Sequence, residues 1–201
     1  MKQNNSFSRI LFLIVLMAST ALMAGGIFPY KVHRVNLNNG FKAILIPIQG
    51  SGLVSYYTVV RTGSRDEWEP GKSGFAHFFE HMMFRGTDKY PLYDSVTTTF
   101  GADANAYTDD DLTVYHLNFA AEDLEKVIDL ESDRFMNLNY KKDQFMTEAG
   151  AVYGEYRKSV TNPFSVLFEK FQDMAFDKHT YKHTTIGFEA DIKEMPNQYE
   201  Y

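Results

Sequence analysis

The chain has 201 residues, 44% of them hydrophobic and 15% aromatic, enough to bury the core of one ordinary domain. Charged residues make up 23% and leave a net charge of −6, so there is neither the basic footprint of a nucleic-acid binder nor a polybasic patch for an anionic membrane. Cysteine is absent, which excludes a disulfide framework, a thiolate nucleophile, a cysteine zinc knuckle and a lipid-modified cysteine, and leaves imidazole and carboxylate as metal ligands.

The first 24 residues are organised differently from the rest. Lys2 and Arg9 flank a polar start, Ile10 to Met17 is an unbroken apolar run, and small residues follow at Ala18-Ser19-Thr20-Ala21 and Ala24-Gly25-Gly26. This is the layout of a secretory signal peptide, with cleavage after Ala21 or after Ala24 both open. The apolar part is shorter than the roughly 20 residues of a spanning helix. The expectation is a signal peptide over 1–24, a domain over 25–201 with no stable membrane span after cleavage, and export to the periplasm or the exterior.

Residues 31–47 read as a hairpin, with Val32, Val35 and Leu37 before the turn Asn38-Asn39-Gly40 and Phe41 to Ile46 after it. Leu53 to Val60 is a third strand, rich in β-branched and aromatic residues. A polar loop runs from Arg61 to Gly74, a helix is predicted over 75–84, and another over 93–100. Two strands follow, Ala102 to Tyr107 and Leu112 to Phe119, joined by the acidic turn Asp109-Asp110-Asp111. After Ala120 the period becomes helical: Leu124, Val127, Ile128, Glu131 and Phe135 share one face, 143–158 is a second long helix, and a third follows Pro163. Strands first and helices later predict an α+β domain, an antiparallel or mixed sheet layered against helices. The aromatic spacing of Phe164, Phe168 and Phe171 is expected to be core.

The chemistry concentrates in His77-Phe78-Phe79-Glu80-His81. Histidines four apart project from one helical face, where both can reach one metal ion, and Glu80 at the edge of that face can accept a proton from a metal-bound water. The run inverts the His-Glu-x-x-His metalloprotease pattern. Two solvent-facing histidines on an amphipathic helix would give the same five residues, so a third ligand carries more weight. Glu148 and Glu155, two turns apart on a predicted helix, can face the same way and are candidate carboxylates.

With these motifs the chain resembles the pitrilysin or insulinase family of zinc peptidases, which includes the mitochondrial processing peptidase. The resemblance covers roughly residues 30–195 and rests on Gly63-Ser64-Arg65-Asp66-Glu67, on His77 through Thr87, on Asn105-Ala106-Tyr107-Thr108, and on Glu148-x-x-x-Val152-x-x-Glu155. It implies the family's half-domain fold and one zinc ion held by His77, His81 and Glu155. It also implies Glu80 as general base, Glu148 as a carboxylate that supports catalysis outside the ligand set, and Asn105, Ala106 and Tyr107 as the edge strand that pairs an extended peptide substrate. The activity implied is zinc-dependent endopeptidase action on short or unfolded polypeptides.

The other histidines have plainer readings: His33 and His116 as strand residues at the surface or core edge, His179 and His183 as structural. The acidic turn lacks the spacing of an EF-hand and reads as a solvated hairpin turn. Relatives of this kind carry a second homologous half or a partner subunit that closes the site. The resemblance leads one to expect further helices and strands beyond Tyr201, which favours a truncated N-terminal catalytic half. The alternative is a catalytically incomplete or non-catalytic peptide-binding subunit that needs the second half.

Overall fold

A computed structural model describes residues 28–201. The expected signal peptide, over 1–24, lies outside the described residues. The chain divides into two compact units between Ser51 and Gly52. In the first, β1 (His33–Asn36) and β2 (Lys42–Leu45) pair antiparallel with His33 opposite Leu45 and Asn36 opposite Lys42. The turn is the expected one: Gly40 takes φ +88°, and Leu37 and Phe41 close the loop through a 2.8 Å backbone bond.

The second unit is α+β. Its elements are β3 (Leu53–Val60), α1 (Phe75–Met82), α2 (Tyr93–Thr99), β4 (Asp103–Thr108), β5 (Thr113–Ala120), α3 (Leu124–Asn137), α4 (Lys142–Ser159), α5 (Pro163–Ala175) and α6 (Glu189–Glu194). The strands form one antiparallel sheet in the order β3-β5-β4, with Leu53 opposite Ala120 on one side of β5 and Asp103 opposite Asn118 on the other. No helix among the described residues is long and apolar enough to cross a membrane.

Alternation of side chains puts Val54 and Tyr56 of β3, Leu117 and Phe119 of β5, and Ala104 of β4 on one sheet face. There they pack with Tyr93 of α2 and with Val127 and Leu130 of α3. A second core cluster joins the helices: Phe75, Phe78 and Met82 on one stripe of α1 meet Phe145, Ala149, Val152 and Tyr156 of α4, with Ile192 and Met195 closing the end. Fully burying a side chain such as Phe78 or Met82 is worth about 1.5–3 kcal/mol.

The helix predicted over 75–84 stops at Met82. Gly86 takes φ +91° within touching distance of the Tyr90 carbonyl, where a Cβ would collide, and the chain must turn there. A larger departure concerns α5. Phe164, Leu167, Phe168, Phe171 and Met174 are exposed, so the expectation that these aromatics are core is wrong within the described residues. The helix turns its polar side inward instead. Gln172 is buried, Glu169 accepts from the Tyr156 hydroxyl at 3.4 Å, and Asp173 pairs with Lys182. Periodicity marks an apolar stripe without saying which neighbour the stripe meets.

Beneath the sheet, α3 carries an ion pair sealed from water. Glu131 and Arg134 are each 1% exposed, with Arg134 Nη2 donating to Glu131 at 2.7 Å and the Tyr93 hydroxyl donating to the same carboxylate at 2.9 Å. The rings of Tyr93 and Tyr115 stand 4.5 and 4.8 Å from the guanidinium. Arg134→Met would strand a buried carboxylate and is expected to cost about 3–5 kcal/mol, measured by urea unfolding, whereas adding Glu131→Leu should recover most of that loss. A double variant no more stable than the single one would show that the pair's charge is not what the arginine neutralises.

Candidate metal centre

The helix that carries the two histidines is fixed at its start by a distant residue. Gly74 precedes it with φ +93°, packed so closely on the Ile186 carbonyl that only glycine fits. The carboxylate of Glu67 then accepts the Gly74 N–H at 2.7 Å and the Ala76 N–H at 2.6 Å, capping the helix from across the loop. Ser73 is tied to Asp191 through its N–H and its hydroxyl, and its Oγ accepts the Phe188 N–H at 2.8 Å. Burial pushes the Glu67 carboxyl up to about 7, against the pull of its two N–H donors, with Asp191 and Asp66 adding repulsion.

With the apolar stripe of α1 buried on α4, His77 and His81 emerge together. Their rings are 4.8 Å apart and nearly perpendicular. Across from them Glu155 of α4 places one oxygen 3.4 Å from His77 Nε2 and the other 3.7 Å from His81 Nε2. One ligand atom from each of the three residues falls within a 4.8 Å span. Ligands bound at about 2.0–2.1 Å in a tetrahedron stand about 3.3–3.5 Å apart, so this donor set fits an ion of zinc's size with a position left open. Burial, with His81 as a second cause, drives His77 down to about 4, which keeps its imidazole neutral at ordinary pH as a ligand must be.

Glu80 lies beside this trio without joining it. Its Oε2 accepts from Thr108 Oγ1 at 2.5 Å, at the end of β4. Burial raises the Glu80 carboxyl and the charge of Glu155 adds to the effect, while the Thr108 bond and His81 oppose it. Glu148 is more enclosed, with a side chain 6% exposed. Its Oε2 sits 3.2 Å from His81 Nδ1, and its Oε1 accepts from Arg85. The two carboxylates of α4 thus approach opposite nitrogens of the same imidazole.

Asn105, Ala106 and Tyr107 lie on β4, which is an edge of the three-stranded sheet, one to three residues before Thr108. Asn105 and Tyr107 point outward, and the Ala106 N–H is occupied by the Asn105 side-chain oxygen at 2.8 Å. From Thr108 an open groove of about 480 Å³ leads past Asp110, Ser159, Glu169 and Gln172. A separate cavity of about 320 Å³, lined by Trp68, Phe75 and Phe79, includes none of the ligand-forming residues.

The remaining histidines do not enter the metal group. His116 stacks on Tyr57, His179 Nδ1 accepts the Tyr181 N–H at 3.1 Å, and His183 is buried 3.7 Å from Glu67. The acidic turn is a hairpin turn that also grips the preceding loop: Arg65 Nη1 donates to Asp111 at 3.0 Å and Ser64 Oγ to Asp110 at 3.1 Å. Three residues that sequence reasoning passed over shape the site: Glu67, Arg85 and Thr108. Each lies inside a motif already singled out, and Arg85 is also one helical turn beyond His81.

Residues 51–188 match the family model described as Insulinase (Peptidase family M16). Over 184 residues the chain is 32% identical to the zinc protease PqqE of Helicobacter pylori, a match covering 90% of this chain and 41% of that protein. It is 31% identical over 164 residues to the mitochondrial-processing peptidase subunit beta of Mus musculus, covering 79% and 32% respectively. It is 29% identical over 171 residues to human insulin-degrading enzyme, covering 84% and 17%. Among solved structures, that of a protease from Helicobacter pylori superposes with a TM-score of 0.78 at 32% identity over 82% of this chain and 40% of that one. The chain therefore spans between 17% and 41% of the length of these relatives.

The Glu67 cap makes stability depend on pH. Its carboxyl ordinarily titrates near 4.5, and a folded value near 7 means that the folded state holds the proton more tightly. The resulting stabilisation is fully present below pH 4.5 and is lost as pH rises through 7, by an amount on the order of 3 kcal/mol. Metal-free Glu67→Gln should show a flatter melting temperature between pH 5 and pH 8 than the wild type. A variant that tracks the wild-type slope would remove Glu67 as its source.

Proposed function

This chain belongs to the insulinase (M16) peptidase family, and from that premise we propose that it is the N-terminal catalytic half of a zinc-dependent endopeptidase that hydrolyses short or unfolded polypeptides. The observation that carries the reading is the convergence of His77, His81 and Glu155 from two packed helices, with Glu80 beside them. His77, His81 and Glu155 would hold one zinc ion, which when bound supplies Lewis acidity toward a water molecule and a peptide carbonyl.

The protein's own groups supply the proton chemistry and the positioning. Glu80 takes a proton from the attacking water and returns it to the departing amine; its burial raises its proton affinity toward what a base working near neutral pH requires. Thr108 fixes the carboxylate by one oxygen and leaves the other free for that exchange. Glu148 holds the Nδ1 side of His81 and so turns its Nε2 toward the ion. Asn105 to Tyr107 offer an edge to which an extended substrate adds as another strand, the Ala106 N–H exchanging its Asn105 bond for the substrate's carbonyl. Edge pairing of this kind favours polypeptides without fixed structure of their own.

The reading includes export, on the strength of the leader-like residues 1–24, with work in the periplasm or outside the cell. It also includes a second homologous half or subunit that closes over the site, supported by a Glu155 side chain that is 49% exposed and by the greater length of the relatives. Water exclusion at the reacting carbonyl would come from that closure.

The purified chain is expected to contain one zinc per molecule by metal analysis and to cleave a quenched fluorescent peptide. Glu80→Gln should keep the zinc and lose at least about 100-fold in turnover. Zinc absent from the wild type would sink the metal reading; zinc present with no cleavage would favour a peptide-binding subunit that needs its other half. In a separate comparison, Glu155→Gln, which removes a ligand, should release zinc to a chelator far more readily than Glu148→Gln, which should weaken zinc by no more than about tenfold to hundredfold while also losing turnover. Equal release by both would mean that the two roles are wrongly divided.

A further inference from the structure

Glu148 has two oxygens and two partners, and only one partner belongs to the ligand set. Oε2 faces His81 Nδ1 at 3.2 Å, and Oε1 accepts from Arg85 Nη2. Among the described residues no other acidic side chain pairs with Arg85, and its Nε is buried without a hydrogen-bond partner, so the polar commitment of the guanidinium is concentrated on Glu148. The backbone around Arg85 is equally constrained. Phe84 N–H donates to the His81 carbonyl at 3.1 Å, Arg85 N–H to the Met82 carbonyl at 2.9 Å, and Gly86 turns the chain against Tyr90. Arg85 is thereby anchored one turn below His81 while its side chain reaches across to α4.

A carboxylate's terminal torsion is soft, and an imidazole partner on one oxygen alone leaves it free to swing. A charged donor on the second oxygen removes that freedom and balances a carboxylate that would otherwise add uncompensated charge beside Glu155 and Glu80. We propose that Arg85 is a positioning residue of the metal centre: by clamping Glu148 it fixes the ring orientation and tautomer of His81, holding Nδ1–H on the carboxylate and Nε2 toward the ion. The inference rests on the zinc reading given above. It extends the centre from three ligands to a chain of groups, Arg85 to Glu148 to His81, that spans both helices.

Zinc affinity, measured by competition with a chromophoric chelator, and the visible spectrum of the cobalt-substituted chain test it, alongside the melting temperature without metal. Wild type that fails to bind zinc overturns the zinc reading and this inference together. With wild type binding one zinc, Arg85→Met is expected to bind about tenfold to hundredfold more weakly and to shift the cobalt bands. Arg85→Lys, which keeps the charge but not the fork, should fall between, and Arg85→Met should cost little more in a Glu148→Gln background. Unchanged affinity and spectrum with a lowered melting temperature would make Arg85 a stabilising residue only and overturn the inference while leaving the zinc reading intact. If Arg85→Met does not fold, Arg85→Lys decides: wild-type affinity and spectrum overturn the proposal, and a loss of about threefold or more with shifted bands supports it.

Discussion

Everything at the candidate centre depends on one packing contact, the apolar stripe of α1 against α4. Phe78, Met82, Phe145, Ala149 and Val152 are closed to solvent, and Ala149 is the small residue at the contact. Because a helix has a fixed angular repeat, burying that stripe decides where every other side chain of α1 and α4 must point. His77 and His81 emerge on one side of the seam and Glu155 on the other, at ligand distances, without any bond made between them for that purpose. A rotation of either helix by one side chain, about 100°, would turn the apolar stripe out of the seam and lose the convergence with it. The capping of α1 by Glu67, the glycine fit at Gly74 and the Arg85 clamp all oppose such a rotation.

The electrostatics follow from the same burial. His77 is kept neutral by desolvation, Glu80 is made a stronger base by it, and Glu67 is held near its titration point. The shifts at His77 and Glu67 are large, and all three groups lie within a short stretch of chain, as active sites tend to show. The arrangement is costly to the fold, since capping a helix with a desolvated carboxylate stabilises less than an exposed cap would. That cost is intelligible as what rigid placement of the histidines requires.

Much of this was legible in the sequence. The hairpin turn at Asn38 to Gly40, the three strands of the sheet and the long helices were marked by local signals: turn residues, β-branched runs and helical spacing. The histidine pair was visible because helical geometry is local. Glu155 was reachable only as one of two carboxylates on a suitable helix, until a family resemblance separated them, because pairing between helices is a matter of tertiary contact. Glu67, Arg85 and Thr108 were invisible as functional groups for the same reason: each acts through a partner far away in sequence. The stripe of Phe164, Phe168 and Phe171 was misread because spacing reveals amphipathicity and is silent about which side is covered.

His77, His81 and Glu155, which converge at the candidate centre, are drawn from segments roughly eighty residues apart, and this separation has a thermodynamic meaning of its own. An ion that takes all three acts as a reversible cross-link closing a long loop, one that encloses β4, β5, α2 and α3. Closing such a loop removes many conformations from the unfolded chain and few from the folded one, whose helices already hold the ligands in place. Such an ion would be a fastener as well as a reagent. Supply of metal would then set how long the α1–α4 seam survives between openings, and the protein's lifetime would hang on the same atom as the proposed chemistry.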